Sequence, residues 1–325
     1  MNTVLSYLRE NRHRLEPGPG NASRLSCLIV TPRFRASSHV VFLLLAEGRR
    51  DPIWVAKLPR LAGRSVSLEK TVANLRAVHA GKPGGFDSIP RVIAYEEYHG
   101  RPILLLTALA GTALDPALVR RDPTRCCESV LAWLGDMDRP RTPRADDLWF
   151  ERLVHRPLDL FGKTFPLSDE EAACLARTEK IVAILRESSL PLVFEHGDLS
   201  SPNVMRLHGG GIGVVDWELA EPQGLPAGDL FFFLTYVAFA RHNARRTPGY
   251  LTAFQEAFFG PRAWALPHIR TYAARLAVPG ESLTPLFVLC WARYLAGLVQ
   301  RLQGEHDSRQ PLSNETAHWL RQNRY

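Results

Sequence analysis

Three side chains, Asp198, Asn203 and Asp216, have the types and spacing to do chemistry. The first two lie in His196-Gly197-Asp198-Leu199-Ser200-Ser201-Pro202-Asn203, and the third follows a glycine-rich turn in Val214-Val215-Asp216-Trp217-Glu218. A carboxylate such as Asp198 can take the proton of an alcohol. An amide oxygen and a second carboxylate, here Asn203 and Asp216, can hold the Mg2+ that neutralises phosphate charge. Together these groups suit movement of a γ-phosphoryl group to a hydroxyl.

Each residue type also has a purely structural use. Asp and Asn favour turns, Asp198 alone could cap one, and Pro202 marks an ordinary loop. The surrounding string separates the two readings. A base aspartate and a metal asparagine with four residues between them match the protein-kinase catalytic loop. Val204-Met205-Arg206-Leu207, the turn His208-Gly209-Gly210-Gly211 and Ile212-Gly213-Val214-Val215 then read as a hairpin, which brings Asp216 back beside Asn203.

At these residues the chain resembles the aminoglycoside phosphotransferase and choline kinase-like family, which shares the protein-kinase fold. The family string of His-Gly-Asp, a short loop ending in Asn and an Asp on the next hairpin is matched, and Gly228-Asp229-Leu230 resembles the segment whose Asp anchors the catalytic loop. The resemblance runs from about Arg35 to the apolar helices near Arg301. It implies Asp198 as base, Asn203 and Asp216 as Mg2+ ligands, and His196 and Asp229 as supports of the loop. It also implies an α+β fold of two lobes, the first small and β-rich, the second larger and mainly helical.

Earlier in the chain, Ile53-Trp54-Val55-Ala56-Lys57-Leu58 is an apolar strand interrupted by one lysine, like the lysine strand of kinases. The forty basic residues include only the lysines 57, 70, 82, 163 and 180. A chain that writes positive charge almost always as arginine has therefore placed a compact ammonium in a strand, where it suits point contact with phosphate oxygens. Leu68, Val72 and Leu75 recur at helical spacing, with Glu69 in the first turn as the expected partner of Lys57. Glu69 would equally favour a helix N-terminus.

Between the strands Ser26–Val30 and Val40–Leu45 lies Thr31–His39, expected as a hairpin over the phosphates. It has no glycine, so Ser37, Ser38 and backbone N–H groups are its expected donors. After the strand Ile103–Leu106, residues 107–113 resemble the family's hinge; many relatives carry a Glu near Thr107 and this chain does not, which leaves ATP and GTP both open. The expected division is thus a nucleotide lobe at 1–106, a hinge at 107–113 and a catalytic and acceptor lobe at 114–325. Helices are expected at Leu118–Leu134, Ser168–Leu185, Leu230–Ala240, Gly249–Phe259 and Leu283–Leu302, with an aromatic-rich insertion at Pro140–Pro166.

Length and composition fit an ordinary globular chain: 325 residues, 46% hydrophobic and 22% charged. Met1–Glu16 intersperses Leu with Arg and lacks a signal peptide's apolar core. Leu230–Ala240 is too short to span a membrane. Five cysteines without a Cys-x-x-Cys pair indicate neither a disulfide framework nor a zinc site, which suits a reducing cytoplasm. Net charge is +7, and Arg241, Arg245, Arg246, Arg262, Arg270, Arg275 and Arg293 crowd the second half. They are either solvated helix faces or a bias toward a neutral or anionic sugar or polyol over a polycationic aminoglycoside. A nucleic-acid partner would need a motif that is missing, and a protein kinase would need an activation segment between Asp216 and Gly228. A nucleotide-binding module without turnover is the alternative that the glycine-free loop leaves standing.

Overall fold

The structure, a computed structural model, describes residues 3–11, 13–15, 24–30, 39–60, 65–137, 148–164 and 167–304, with side chains to residue 298. Ser37 and Ser38 lie outside the described residues, as do 138–147 and 165–166 of the aromatic-rich stretch. In chain order the elements are α1 (Thr3–Asn11), β1 (Leu25–Val30), β2 (His39–Ala46), β3 (Trp54–Pro59), α2 (Val66–Ala80), β4 (Val92–Tyr98), β5 (Arg101–Thr107), β6 (Gly111–Ala113), α3 (Pro116–Arg121) and α4 (Pro123–Met137). They continue with α5 (Arg156–Thr164), α6 (Asp169–Val182), β7 (Val193–Glu195), β8 (Val204–Leu207), β9 (Ile212–Val214), β10 (Glu221–Gly224), α7 (Gly228–Arg241), α8 (Thr247–Phe258), α9 (Leu266–Leu276) and α10 (Leu283–Gly304). Contacts divide the chain into two units, Met1–Ala113 with Asn203–Ala220, and Leu114–Pro202 with Glu221–Tyr325.

In the first unit an antiparallel sheet runs in the order β1-β2-β3-β5-β4. Strand alternation fixes which way each residue points. Ala56 and Leu58 of β3, with Ile103 and Leu105 of β5 and Leu44 of β2, form a core with Val4, Tyr7 and Leu8 of α1. Lys57 and its cross-strand partner Leu104 therefore face the opposite side. Helix α2 starts where Ser65 caps it, accepting from the Leu68 N–H, and Glu69 sits half-buried in its first turn.

Residues 203–220, expected with the second half of the chain, group instead with the first unit. The reason is backbone pairing: β6 is antiparallel to β8, which is antiparallel to β9, and the Val214 N–H donates to Ser88 O at 2.9 Å. Gly111 permits this approach, since a Cβ there would meet Arg206 O at 2.5 Å. Part of the expected hinge, 111–113, is thus a strand.

The second unit is helical apart from the pair β7 and β10. Helix α7 is buried nearly all round, as its run Leu230-Phe231-Phe232-Phe233-Leu234 requires. Phe254, Phe258, Phe287 and Trp291 pack as a connected aromatic cluster, with Phe231 edge-on to Phe287. The single helix expected over Leu118–Leu134 is two, α3 and α4, because Pro123 forces Asp122 out of helical geometry. The described part of the aromatic-rich stretch holds a π-turn, Glu151–His155, running into α5. Among the described residues no helix is long and apolar enough to cross a membrane.

His79 near the end of α2 accepts from the Phe86 N–H on Nδ1 at 3.2 Å and lies 3.0 Å from Pro90 O through Nε2, which therefore carries the proton. Burial lowers its pKa below the ordinary 6.5. The unfolded chain then binds more protons than the folded one just below that value, so His79's contribution is full above pH 6.5 and is lost as pH falls. Urea unfolding of the wild type and His79→Leu checks this: the destabilisation should be larger near about pH 7.5 than near about pH 5.5.

Candidate active site

The β8–β9 hairpin closes with the Val215 N–H donating to Asn203 O at 2.9 Å, so Asn203 and Asp216 stand at its two feet. Asp216 follows in the left-handed region, φ 70° and ψ 67°, a conformation that costs an ordinary residue about 1–2 kcal/mol. Its Oδ1 takes Lys57 Nζ at 2.6 Å. The ammonium is 7% exposed and the carboxylate 34%, so the pair is buried at its cationic end and open at the other.

The left-handed turn is held from α2. Asn74, 8% exposed, donates both amide hydrogens, to Trp217 O at 2.9 Å and Ala220 O at 3.0 Å. The buried Trp217 indole closes the turn on itself by donating to Val214 O. Ser67 Oγ donates to Glu218 Oε2 at 2.6 Å. His39, at the start of β2, lies 3.8 Å from the same oxygen and is 3% exposed. Burial and the nearby Lys57 charge lower its pKa to about 4, so it is neutral at physiological pH.

The second unit positions Asp198. Both oxygens of Asp229 accept backbone hydrogens, Oδ2 from His196 N at 2.6 Å and Oδ1 from Gly197 N at 2.9 Å. Asp229 lies in the first turn of α7, where the helix dipole favours negative charge. Gly197 has φ 80°, and the Asp198 N–H donates back to His196 Nδ1 at 3.3 Å. The half-buried Asp198 carboxylate is thus carried by a loop whose backbone is tied at the two residues before it.

One residue earlier, Glu195 meets Arg293 of α10 in a two-pronged contact of 2.9 and 2.8 Å, and also accepts from the Leu225 N–H. Gly224 and Gly228 make room, because a Cβ at either would stand under 3.0 Å from Glu195 side-chain atoms. Sequence reasoning singles out neither Glu195 nor Asn74, and it leaves Arg293 in a set read either as solvated helix faces or as an acceptor bias. Their signal is weak: a charged residue abutting His-Gly-Asp, and an Asn on the buried face of an apolar helix. Of the other arginines, Arg241 stacks on Trp264 and Arg275 pairs with Asp136.

Asn74→Ala would remove the side-chain donor from the part-buried Ala220 carbonyl and leave the buried Trp217 carbonyl with only the Ala220 N–H at 3.4 Å. We expect a loss of about 2–3 kcal/mol in denaturant unfolding; a loss below about 0.5 kcal/mol would mean that the turn at Asp216 stands without α2.

A family model for the phosphotransferase enzyme family matches residues 32–267. No curated protein matches the chain in sequence. Among solved structures, an ethanolamine kinase from Plasmodium vivax is 13% identical at a TM-score of 0.54, covering 95% of this chain and 85% of its own. A choline/ethanolamine kinase family protein from Mesorhizobium loti is 15% identical at 0.54, covering 96% and 91%. An aminoglycoside phosphotransferase from Streptomyces rimosus, solved with ADP and streptomycin, is 16% identical at 0.52, covering 90% and 99%. At such identities these likenesses speak for the fold, which is protein-kinase-like, and the family match, spanning well over half the chain, speaks for descent: the protein is an enzyme belonging to the phosphotransferase enzyme family.

Proposed function

We propose that the protein uses Mg2+ and ATP to phosphorylate a hydroxyl of a small molecule, such as a sugar, polyol, amino alcohol or aminoglycoside-like compound. The observation that carries this reading is the 2.6 Å contact of Lys57 with Asp216 at the foot of the hairpin that begins at Asn203. A buried ammonium suits phosphate oxygens, and the carboxylate and amide oxygens of Asp216 and Asn203 are the hard donors that fit Mg2+. Bound Mg2+ supplies charge neutralisation across the phosphates.

The chain's residues divide the work. Asn203 and Asp216 hold the metal, and Lys57, braced by Glu69, contacts the phosphates, with Ser37 and Ser38 as further contacts. Asp198 orients the acceptor and takes its hydroxyl proton on a carboxylate oxygen. The hydroxyl oxygen bonds to the γ-phosphorus as the bond to the bridging oxygen breaks, and ADP departs with that oxygen. His196 and Asp229 keep the loop in shape. The similar structures support the substrate class through their own names, one an ethanolamine kinase, one a choline/ethanolamine kinase family protein and one an aminoglycoside phosphotransferase solved with ADP and streptomycin. We place it in a reducing cytoplasm, which suits five cysteines without a Cys-x-x-Cys pair.

Asp198→Asn isolates the proton-accepting role, since it keeps size and loop shape. It should bind MgATP about as tightly as the wild type in calorimetry, yet transfer phosphate roughly 10²- to 10⁴-fold more slowly in single-turnover assays. Equal transfer by the variant would remove Asp198 as base. Nucleotide binding without transfer to any acceptor across a screen of sugars, amino alcohols and aminoglycosides would favour a binding module.

A further inference from the structure

We infer that His39, Asp216 and Glu218 form a divalent-cation site of one imidazole nitrogen and two carboxylate oxygens, which widens the metal tolerance of this enzyme beyond Mg2+ to ions that accept nitrogen, such as Mn2+. The inference rests on the reading of Asp216 as a metal residue and adds two ligands to it.

Three separate elements deliver the groups. His39 opens β2 opposite Pro59, Asp216 leaves the β9 strand, and Glu218 sits in the short 3-10 turn that follows. One ligand atom from each lies within 4.8 Å of the others. Ligands about 2.0–2.2 Å from one ion are separated by about 3 Å when adjacent and about 4.2 Å when opposite, so a set spread to 4.8 Å needs to draw in only slightly around an ion. The His39 Nδ1 to Glu218 Oε2 separation of 3.8 Å is too long for a hydrogen bond and falls inside that range.

The surroundings also suit a cation. Two carboxylates this close repel unless positive charge lies between them. Lys57 supplies one such charge on the Asp216 side. Glu218, with 16% of its side chain exposed, has its carboxylate set by the Ser67 hydroxyl, in the manner of an outer group that orients a ligand. Asp216 is the open edge of the set, 34% exposed, and gives an ion its way in. An all-oxygen set favours Mg2+, whereas an imidazole brings in the nitrogen-binding transition ions.

Pulsed electron paramagnetic resonance of the full chain with Mn2+ alone tests this, because without nucleotide no adenine nitrogen can contribute. We expect bound Mn2+ to show a nitrogen coupling that changes from the 14N to the 15N pattern when the protein is labelled with 15N-histidine. His39→Gln should lose that coupling and weaken Mn2+ binding at least roughly 10-fold, the lower end of what even outer-shell losses cost. Glu218→Gln should weaken binding while keeping the coupling. The labelled wild type needs no substitution, so a folding defect in a variant leaves the test intact. Mn2+ binding that depends on Asp216 but carries no histidine coupling would overturn the role of His39 and leave the proposed function standing. Absence of Mn2+ binding to the protein alone would overturn the site. MgATP affinity of Asp216→Ala, measured by calorimetry, tests the proposed function separately: unchanged affinity would remove Asp216 as a metal residue.

Discussion

The two hydrogens of one buried amide, Asn74, go to the carbonyls of Trp217 and Ala220, and the placement of Asp216 depends on that fork. A non-glycine residue with φ 70° does not hold itself there. The indole of Trp217 fixes the turn from within and Asn74 fixes it from the helix, so the carboxylate meets Lys57 at short range while the strain is carried by groups that touch no reacting atom. Ser67, seven residues before Asn74 on the same helix, orients Glu218 by the same logic. Helix α2 is therefore a splint for the turn as well as the carrier of Glu69.

The second unit solves a related problem with carboxylates that are buried for backbone, not for substrate. Asp229 accepts from two consecutive N–H groups, and Glu195 accepts from Leu225 while gripping Arg293. Removing one partner of a buried pair leaves a charge unmatched, which is costly, so these contacts are hard to break singly. The loop that carries Asp198 inherits that stiffness at the residues just before it, 195–197. Such preorganisation suits the proton-accepting role proposed for Asp198.

What was legible in the sequence follows the range of the interactions. The hairpin around Asp216, the strand with Lys57 and the helix with Glu69 were readable because alternation and helical spacing are local signals. Helix α1 carries that spacing in Val4, Tyr7 and Leu8, but the arginines close by, Arg9, Arg12 and Arg14, blur its apolar face. Asn74 reaches across 143 residues to Trp217 and Arg293 across 98 to Glu195, and nothing local announces such partners. The break at Pro123 was visible as a proline but was absorbed into an apolar periodicity that continues on either side of it. The grouping of 203–220 with the first unit rests on β6–β8 pairing, a non-local choice that chain order hides.

That grouping has a consequence for how the molecule comes into being. Synthesis runs from the N-terminus, and domains tend to fold as units while the chain emerges. Here the first unit is interrupted, so its last strands are made only after residues 114–202 have been synthesised. Until then β6 has no β8 to pair with, and Lys57 waits without Asp216. A nascent or prematurely terminated chain ending before the hairpin holds the sheet and Lys57 without Asp216, so the Lys57–Asp216 pair forms only once the chain has passed residue 216.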